Sequence, residues 1–125
     1  MLNSINLECR LCADPELKTA PNGDFVCSIR VANDRGSGDK RKTNFITAVA
    51  WKHNAEFLSR NFHKGSIIII EGEWMCRDFT TQNGEKRHSD EILISRINFT
   101  GSNKNNYEER EGKKPDYSDE DNLPY

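Results

Sequence analysis

Five segments of the sequence are predicted to be β-strands, and one segment has the spacing of a short helix. The first two strands have the alternating apolar and polar pattern of half-buried strands. The strands are predicted at 4–11, 25–32, 43–51, 66–81 and 87–99. In the first two strands, the side chains expected to face inward are Ile5, Leu7, Cys9, Leu11, Phe25, Cys27, Ile29 and Val31. The order strand, strand, strand, helix, strand, strand predicts an all-β chain with one short helix, folded as a five-stranded OB-fold Greek-key barrel, although other small barrels share this order.

The helix is predicted within NAEFLSRNFHKG at 54–65, where the apolar residues form one stripe. This stripe consists of Ala55, Leu58 and Phe62. Asn54 is expected to cap the start of the helix, and Gly65 is suited to its left-handed exit. In the strand that follows, Gly72 predicts a bulge or bend. The segment QNGEK at 82–86 predicts a hairpin turn before the last strand.

Composition divides the 125 residues into a body and a tail. Residues 101–125 lack Val, Ile, Phe, Met and Trp and have no strand or helix period, so we expect residues 1–100 to fold and the tail to be disordered. The tail is divided into a flexible linker at 101–115 and an acidic tip at 116–125. It has four basic against seven acidic side chains, which leaves the body at +1 of the total charge of −2. A site for a polyanion on the body therefore has to come from local clustering of cations.

Several classes of protein find no support in the sequence. No signal peptide or transmembrane stretch is present, and a cytoplasmic, nucleoid-associated protein is expected. Cys9 and Cys12 have the C-x₂-C spacing of a zinc ligand pair, but no second pair follows, and His53, His63 and His88 stand alone. We therefore expect reduced structural thiols, no metal and no cofactor. No catalytic motif is present, so the chain is not expected to be an enzyme.

The third strand carries aromatic side chains that a small barrel cannot place in its interior. Ala48 and Ala50 suit that interior, which would leave Phe45 and Trp51 on the outer face. Exposed rings on one strand need a reason, and stacking of nucleobases is one.

A second aromatic site is predicted at the hairpin. Phe79 lies near the hairpin tip, with Arg77 on the same strand and Arg87 across the turn. A ring beside cations predicts a platform for a base with phosphate contacts nearby. The basic loop NDRGSGDKRK at 33–42 would add phosphate contacts. Its cations are Arg35, Lys40, Arg41 and Lys42.

Each of these features has a second interpretation that the sequence leaves open. Trp51 could be covered by a partner subunit, Phe79 could be a simple cross-strand anchor, and the cations at 40–42 could only solvate a loop. Trp74 is assigned to packing or to an interface. The combination favours nucleic-acid binding. The alternatives are an RNA-binding module of cold-shock type and an oligomeric hub for protein interactions.

The sequence resembles the bacterial single-stranded DNA-binding proteins. The resemblance lies in ADPELKTAPNGDFVCSIRVA, NFITAVAWKHNAEFLSRNFHKGS, IIIIEGEWMCRDFTTQNGEKR and the tail motif DEDNLPY. It implies an OB-fold, usually a homotetramer, that binds and protects single-stranded DNA without sequence preference in replication, recombination and repair. The implied stacking residues are Phe45, Trp51 and Phe79. The implied phosphate contacts outside the basic loop are Lys64, Arg77 and Arg87. Lys86, next to Arg87, is a further candidate for nucleic-acid binding.

The acidic tip has a role of its own in that family, where it docks into partner proteins. The residues that match here are Asp119, Glu120, Asp121, Leu123, Pro124 and Tyr125. The Tyr125 ring and Pro124 can fill an apolar pocket while the carboxylates meet basic residues around it. A purely solubilising tail is the alternative.

Overall fold

The computed structural model of the protein describes residues 1–100. Within this range it has six β-strands, one α-helix and a 3-10 turn at Gly38–Lys40. In chain order the elements are β1 (Ile5–Leu11), β2 (Lys18–Thr19), β3 (Phe25–Arg35), β4 (Lys42–Trp51), α1 (His53–Asn61), β5 (Ile67–Thr80) and β6 (Lys86–Phe99). The predicted linker and acidic tip lie outside the described residues.

Five of the strands close into a barrel with the neighbour order β1-β5-β6-β4-β3, and a β1–β3 pairing completes the ring. The two residues of β2 pair only with the start of β3. All pairings are antiparallel except β4–β6, which is parallel and joins 47–49 to 91–93. The helix lies between the third and fourth barrel strands, so the OB-fold prediction is confirmed.

The barrel interior combines small side chains on one strand with larger side chains on its neighbour. Ala48 pairs with Ile29 and Ala50 pairs with Cys27, and all four side chains are buried. The helix adds Ala55 and Leu58 to the same core, followed by Phe62. Burial of each large aliphatic or aromatic side chain of this kind contributes about 1.5–3 kcal/mol. The largest fully buried side chains are Phe62, Leu11, Leu58, Ile68, Ile70, Ile92 and Val31.

Both predicted helix ends are wrong. The helix begins at His53 after the N-cap residue Lys52, so Asn54 lies inside the first turn. Its Nδ2 donates to the carbonyl oxygen of Ser95 at 3.2 Å, which ties the helix to β6 instead of capping it. Gly65 has a φ of +88° but follows the end of the helix by four residues and belongs to the turn into β5.

The prediction that Phe25 faces the core is also wrong, because its side chain is 39% exposed. Cys27, Ile29 and Val31 follow it with the expected alternation and are buried. Phe25 is the first residue of β3 and pairs with Thr19 of the short strand β2, outside the ring of five strands. The apolar alternation of the sequence therefore extends one position beyond the barrel interior, and Phe25 occupies that position.

Gly72 marks a bulge in β5, as predicted. The β5–β6 register shifts between Glu71 and Gly72, and the pairing of β5 with β1 ends at Gly72. Beyond this point β5 pairs only with β6. Residues 91–93 of β6 still pair with β4, so the two-stranded ribbon that we call the outer hairpin consists of residues 76–90. A bulge bends its strand and increases the local twist, here at the point where β5 leaves β1.

Candidate nucleic-acid interface

A polar row crosses four strands on the outer face of the barrel. Cross-strand partners share a face of a sheet, and Thr47 of β4 pairs with both Arg30 of β3 and Glu91 of β6. The Arg30 Nη1 donates to the Thr47 Oγ1 at 3.0 Å. On the other side, Arg77 of β5 donates to the Glu91 Oε2 from Nε at 3.3 Å and from Nη2 at 3.1 Å. This row, from Arg30 through Thr47 and Glu91 to Arg77, is called the outer track below.

The predicted stacking rings lie on the same face as the outer track. Phe45 and Trp51 are an even number of residues from Thr47 along β4, and Phe79 is two residues from Arg77 along β5, so each ring lies on the same face as its reference residue. Trp51 is 38% exposed and Phe79 is 40% exposed, whereas Phe45 is half-buried. Neither of the two exposed rings is enclosed by the barrel interior. Both therefore have a ring surface on which a base can lie.

The Phe79 ring sits in a cationic setting, as the sequence predicted. The guanidinium carbon of Arg77 lies 5.3 Å from the ring centroid, within the range of a cation–π contact. Arg87 is the direct cross-strand partner of Phe79. Its Nη2 is 2.9 Å from the Glu85 Oε2, in an ion pair whose two side chains are both exposed. Such exposed pairs are weak enough for a phosphate to replace the carboxylate.

Glu91 is a residue of the outer track that the sequence analysis missed. It is only 3% exposed, and its Oε2 also accepts a hydrogen bond from the Ser89 Oγ at 3.2 Å. A buried carboxylate is tolerated only with such partners, and in return it fixes the Arg77 guanidinium beside the Phe79 ring. The sequence did hold a signal for this position. Counting from the hairpin turn places Ser89 opposite Arg77, and Glu91, two residues further along β6, lies on the same face.

The basic loop places four exposed cations next to one another. Arg35 and Lys42 are direct cross-strand partners, and Lys40 lies in the 3-10 turn between them. Like charges directly opposite each other destabilise a hairpin, and an anion bound at this position would relieve that repulsion. Arg41 differs from the others because it is paired with Asp34.

Asp34 holds the base of this loop to the barrel. Its carboxylate accepts hydrogen bonds from the Arg10 Nη1 at 2.6 Å and the Thr43 Oγ1 at 2.8 Å, in addition to Arg41. These contacts, above all that of Arg10, hold the pKa of Asp34 well below its usual range. Arg41 is therefore a structural cation as well as a candidate for phosphate.

The remaining predicted cations lie in two different places. Lys86 is exposed at the start of β6, on the outer hairpin beside Arg87. Lys64 is exposed in the turn before β5, at the opposite end of that strand from Arg77. The structure therefore gathers Arg77, Lys86 and Arg87 on one hairpin and leaves Lys64 apart from them.

The opposite face of the outer hairpin holds a cluster of a cysteine, a histidine and two aspartates, linked by hydrogen bonds. The prediction that His88 stands alone is wrong, because its Nε2 is 3.0 Å from the Asp90 Oδ1 and its Nδ1 is 3.2 Å from the Asp78 Oδ1. The Sγ of Cys76 is 3.3 Å from the same Asp90 oxygen. The hydrogen bonds with Asp78 and Asp90 raise the pKa of His88. The turn at 82–86 fixes the register that pairs Cys76 with Asp90 and Asp78 with His88, so a register count could have found this cluster.

Trp74 lies next to this cluster, on the same face of β5 as Cys76 and Asp78. It is 53% exposed, and its Nε1 donates to the Asp90 Oδ1 at 3.2 Å. Its backbone N–H and carbonyl both bond to the Asn3 side chain, at 2.8 and 2.9 Å. The proposed role of Trp74 in an interface between chains stays a prediction.

Two further predictions concern the chain as a whole. The acidic tip, Asp119 to Asp121 and Leu123 to Tyr125, lies beyond the described residues. No helix within residues 1–100 is long and apolar enough to span a membrane.

Comparison with known proteins gives a consistent result. The model of the single-strand binding protein family matches residues 2–100. The chain is 32% identical over 102 residues to the single-stranded DNA-binding protein of Oceanobacillus iheyensis, which covers 79% of this chain and 63% of that protein. It is 31% identical over 102 residues to single-stranded DNA-binding protein A of Bacillus subtilis, covering 79% and 59%, and 32% identical over 107 residues to single-stranded DNA-binding protein 1 of Lactococcus lactis, covering 83% and 71%. The match to the Oceanobacillus and Bacillus proteins thus spans less than two thirds of their length. Because the family match covers nearly the whole described body, this chain belongs to the single-strand binding protein family.

Proposed function

We propose that this chain binds single-stranded DNA without sequence preference, by stacking bases on Trp51 and Phe79 and by holding phosphates with the cations of two hairpins. The observation that carries the proposal is that two exposed rings lie on the same face of the sheet as the outer track. Stacking of one base on one ring contributes about 1–3 kcal/mol and does not depend on which base is present. The names of the relatives support DNA single strands as the ligand.

The charges on the body predict a moderate dependence on salt. Lys40, Lys42, Lys86 and Arg35 have no ion pair within residues 1–100, whereas Arg41 and Arg77 are held by carboxylates. Four phosphate contacts on a single strand correspond to a slope of log affinity against log salt of about −3. Stacking is less sensitive to salt, so binding should persist at salt concentrations that remove the phosphate contacts.

Fluorescence of Trp51 tests the proposal directly. The chain has two tryptophans, so a Trp74→Phe protein reports on Trp51 alone. Titration with a thymidine homopolymer should quench this signal, because a stacked base contacts the indole. If the homopolymer neither quenches the Trp51 fluorescence nor shifts the protein in a gel at low salt, the proposal is wrong.

Substitutions at Phe79 separate stacking from simple apolar contact. Phe79→Leu keeps an apolar side chain but removes the π-face, and affinity should fall about 5- to 150-fold, which corresponds to the loss of one stacked base. Phe79→Tyr keeps the ring and should bind like the wild type. Equal affinities for the Leu and Tyr variants would show that Phe79 is only a cross-strand anchor.

The nucleic-acid class follows from matched ligands. Affinity should be highest for the DNA single strand and lower for the duplex of the same length, in which the bases are already stacked on one another. Equal affinity for the matching RNA strand would favour the cold-shock type of module. Unchanged DNA affinity after loss of both Trp51 and Phe79 would favour the protein-interaction hub.

The biological role that we propose is protection of single-stranded DNA in the cytoplasm during replication, recombination and repair. Residues 1–100 would bind the DNA, 101–115 would act as the linker, and 116–125 would recruit partner proteins of these processes. The support for the last step is the sequence of acidic residues followed by Leu123, Pro124 and Tyr125. Removal of 116–125 should leave DNA affinity intact and abolish binding to purified partner proteins. Retained partner binding would place recruitment on the body.

We propose that the chain assembles as a homotetramer. Its support is the set of large apolar side chains away from the outer track that a single chain leaves exposed. Leu17 is 41%, Phe25 39% and Phe99 40% exposed. Sedimentation at micromolar concentration should give four chains per particle, and a monomer would contradict the assembly.

A further inference from the structure

The outer hairpin carries three ligand-type atoms that converge on one point. They belong to Cys76, His88 and Asp90, each of which offers one such atom, and these atoms all lie within 4.8 Å of one another. The Asp90 oxygen is 3.3 Å from the sulfur and 3.0 Å from the imidazole nitrogen. A tetrahedral zinc ion with bonds of about 2.0–2.3 Å holds its ligand atoms about 3.3–3.7 Å apart. The Asp90 oxygen is therefore within a few tenths of an ångström of that spacing from both of the other atoms.

Two further side chains orient the ligands from behind. The Asp78 Oδ1 lies 3.2 Å from the His88 Nδ1, so it would accept a hydrogen bond from that nitrogen when Nε2 gives its lone pair to a metal ion in place of its present contact with Asp90. The indole Nε1 of Trp74 donates to the Asp90 carboxylate at 3.2 Å. A carboxylate on the far nitrogen of a histidine ligand is the usual support of a metal-bound imidazole, because it fixes the tautomer and raises the basicity of the ligand.

The ligand set selects the kind of metal. A thiolate, an imidazole and a carboxylate together suit a borderline-soft divalent ion and do not suit Mg²⁺ or Ca²⁺, which take oxygen ligands. All three residues are exposed, so a water molecule can occupy the fourth position. A zinc site with three protein ligands and one water has the ordinary coordination number.

We propose that Cys76, His88 and Asp90 form a Zn²⁺ site on the outer hairpin, with Asp78 and Trp74 as positioning residues. Metal binding exchanges the thiol proton of Cys76 for the ion and involves no change of oxidation state. Pleating places these side chains on the face of the hairpin opposite to Phe79, Arg77 and Arg87. The site is therefore separate from the surface proposed for DNA, and it can be tested without DNA.

Cobalt(II) is the probe of choice, because a thiolate ligand gives it a charge-transfer absorption that carboxylates and histidines do not produce. The full chain, reduced and freed of metal, should bind one Co²⁺ with this absorption, and one equivalent of Zn²⁺ should remove it. Cys76→Ser should abolish the absorption, although the buried Cys9, Cys12 and Cys27 remain in the chain. His88→Gln should lower the affinity at least about tenfold.

Two variants of hairpin carboxylates complete the test. Asp78→Asn keeps the size of the side chain but loses its charge, and it should weaken Zn²⁺ binding about 10- to 100-fold. The matched control is Glu85→Gln, which removes a carboxylate of the same hairpin outside the cluster and should bind Zn²⁺ like the wild type. The proposal is overturned by Co²⁺ binding without thiolate absorption, by an absorption that persists in Cys76→Ser, or by equal Zn²⁺ affinities of Cys76→Ser and the wild type. Far-ultraviolet circular dichroism of each variant confirms that the barrel is folded.

Discussion

Replacing Gly72 with alanine is expected to damage the junction between the barrel and the outer hairpin. An added Cβ would lie 2.2 Å from the carbonyl oxygen and 3.0 Å from the carbonyl carbon of Leu93, and 3.1 Å from the Ile92 Cγ2. The nearest atom belongs to the backbone of β6, so no side-chain rotation can relieve the clash. The two strands have to move apart at the bulge.

The size of the effect follows from these distances. Ordinary van der Waals contact begins at 3.4 Å, so the strands must separate by about 1.2 Å, beyond the range of a hydrogen bond. Loss of the two ladder bonds beside the bulge costs about 1–3 kcal/mol. Displacement of the buried Ile92 side chain adds about 1–3 kcal/mol. The variant should therefore lose about 2–6 kcal/mol, a large part of the stability of a domain of this size.

Urea unfolding followed by tryptophan fluorescence measures this loss, at one fixed protein concentration because assembly also contributes to stability. Gly84→Ala is the matched control. Gly84 has a φ of +83° and no atom within 4 Å of an added Cβ, so only backbone strain of about 1 kcal/mol is expected there. If Gly72→Ala costs no more than Gly84→Ala, the steric argument for the bulge is refuted.

Three further predictions test local features of the barrel. Lys52→Gly should stabilise the chain by about 1 kcal/mol in urea unfolding. The reason is that Lys52 has a φ of +57° and a ψ of −122°, a backbone conformation that glycine adopts without steric cost. A loss of stability would contradict this prediction. Asp34→Asn should destabilise the chain at neutral pH, where Arg10 holds the pKa of Asp34 below its usual range. Because the folded pKa is lowered, this stabilisation exists above the unfolded value of about 3.9 and is lost as the pH falls toward the folded value, so the difference in urea midpoint should shrink below about pH 4. A difference that does not vary with pH would refute the ion pairing. Arg77→Met leaves the buried Glu91 carboxylate without its cation and should lower the free energy of unfolding by about 2–3 kcal/mol. Glu91→Gln should cost less, because the arginine that it leaves unpaired is solvated. Equal losses of stability in the two variants would show that Glu91 does not depend on Arg77.

Features set by local sequence were predictable. The alternation of apolar residues located all five barrel strands to within a few residues, and the turn at 82–86 set Phe79 opposite Arg87. Gly72 indicated the bulge because a glycine inside a strand weakens it and is typical of positions where the ladder is interrupted. These predictions depend on neighbours along the chain or on a single hairpin, and both are visible in the sequence.

Features set by the closure of the barrel were not predictable in the same way. Glu91 is buried because β4 lies beside β6 in a parallel pairing, and no local pattern shows which strand that neighbour is. The start of the helix at His53 depends on the unusual backbone of Lys52, whose N–H is held by the carbonyl oxygen of Phe25 at 2.8 Å. The partners of His88 come from the register of the facing strand, which a reading along the chain does not show.

The barrel has one part made by β1, β3 and β4 and another made by β5 and β6. The parallel pairing of β4 with β6 joins these parts by only three residue pairs. The other junction between these parts, β1 with β5, has six pairs. A DNA strand that reaches from Trp51 to Phe79 crosses the shorter junction, between β4 and β6, and would hold these two strands together. Occupancy of the outer face would then slow amide exchange in 47–49 and 91–93 more than in the β1–β5 junction, so that the ligand itself would complete the closure of the barrel.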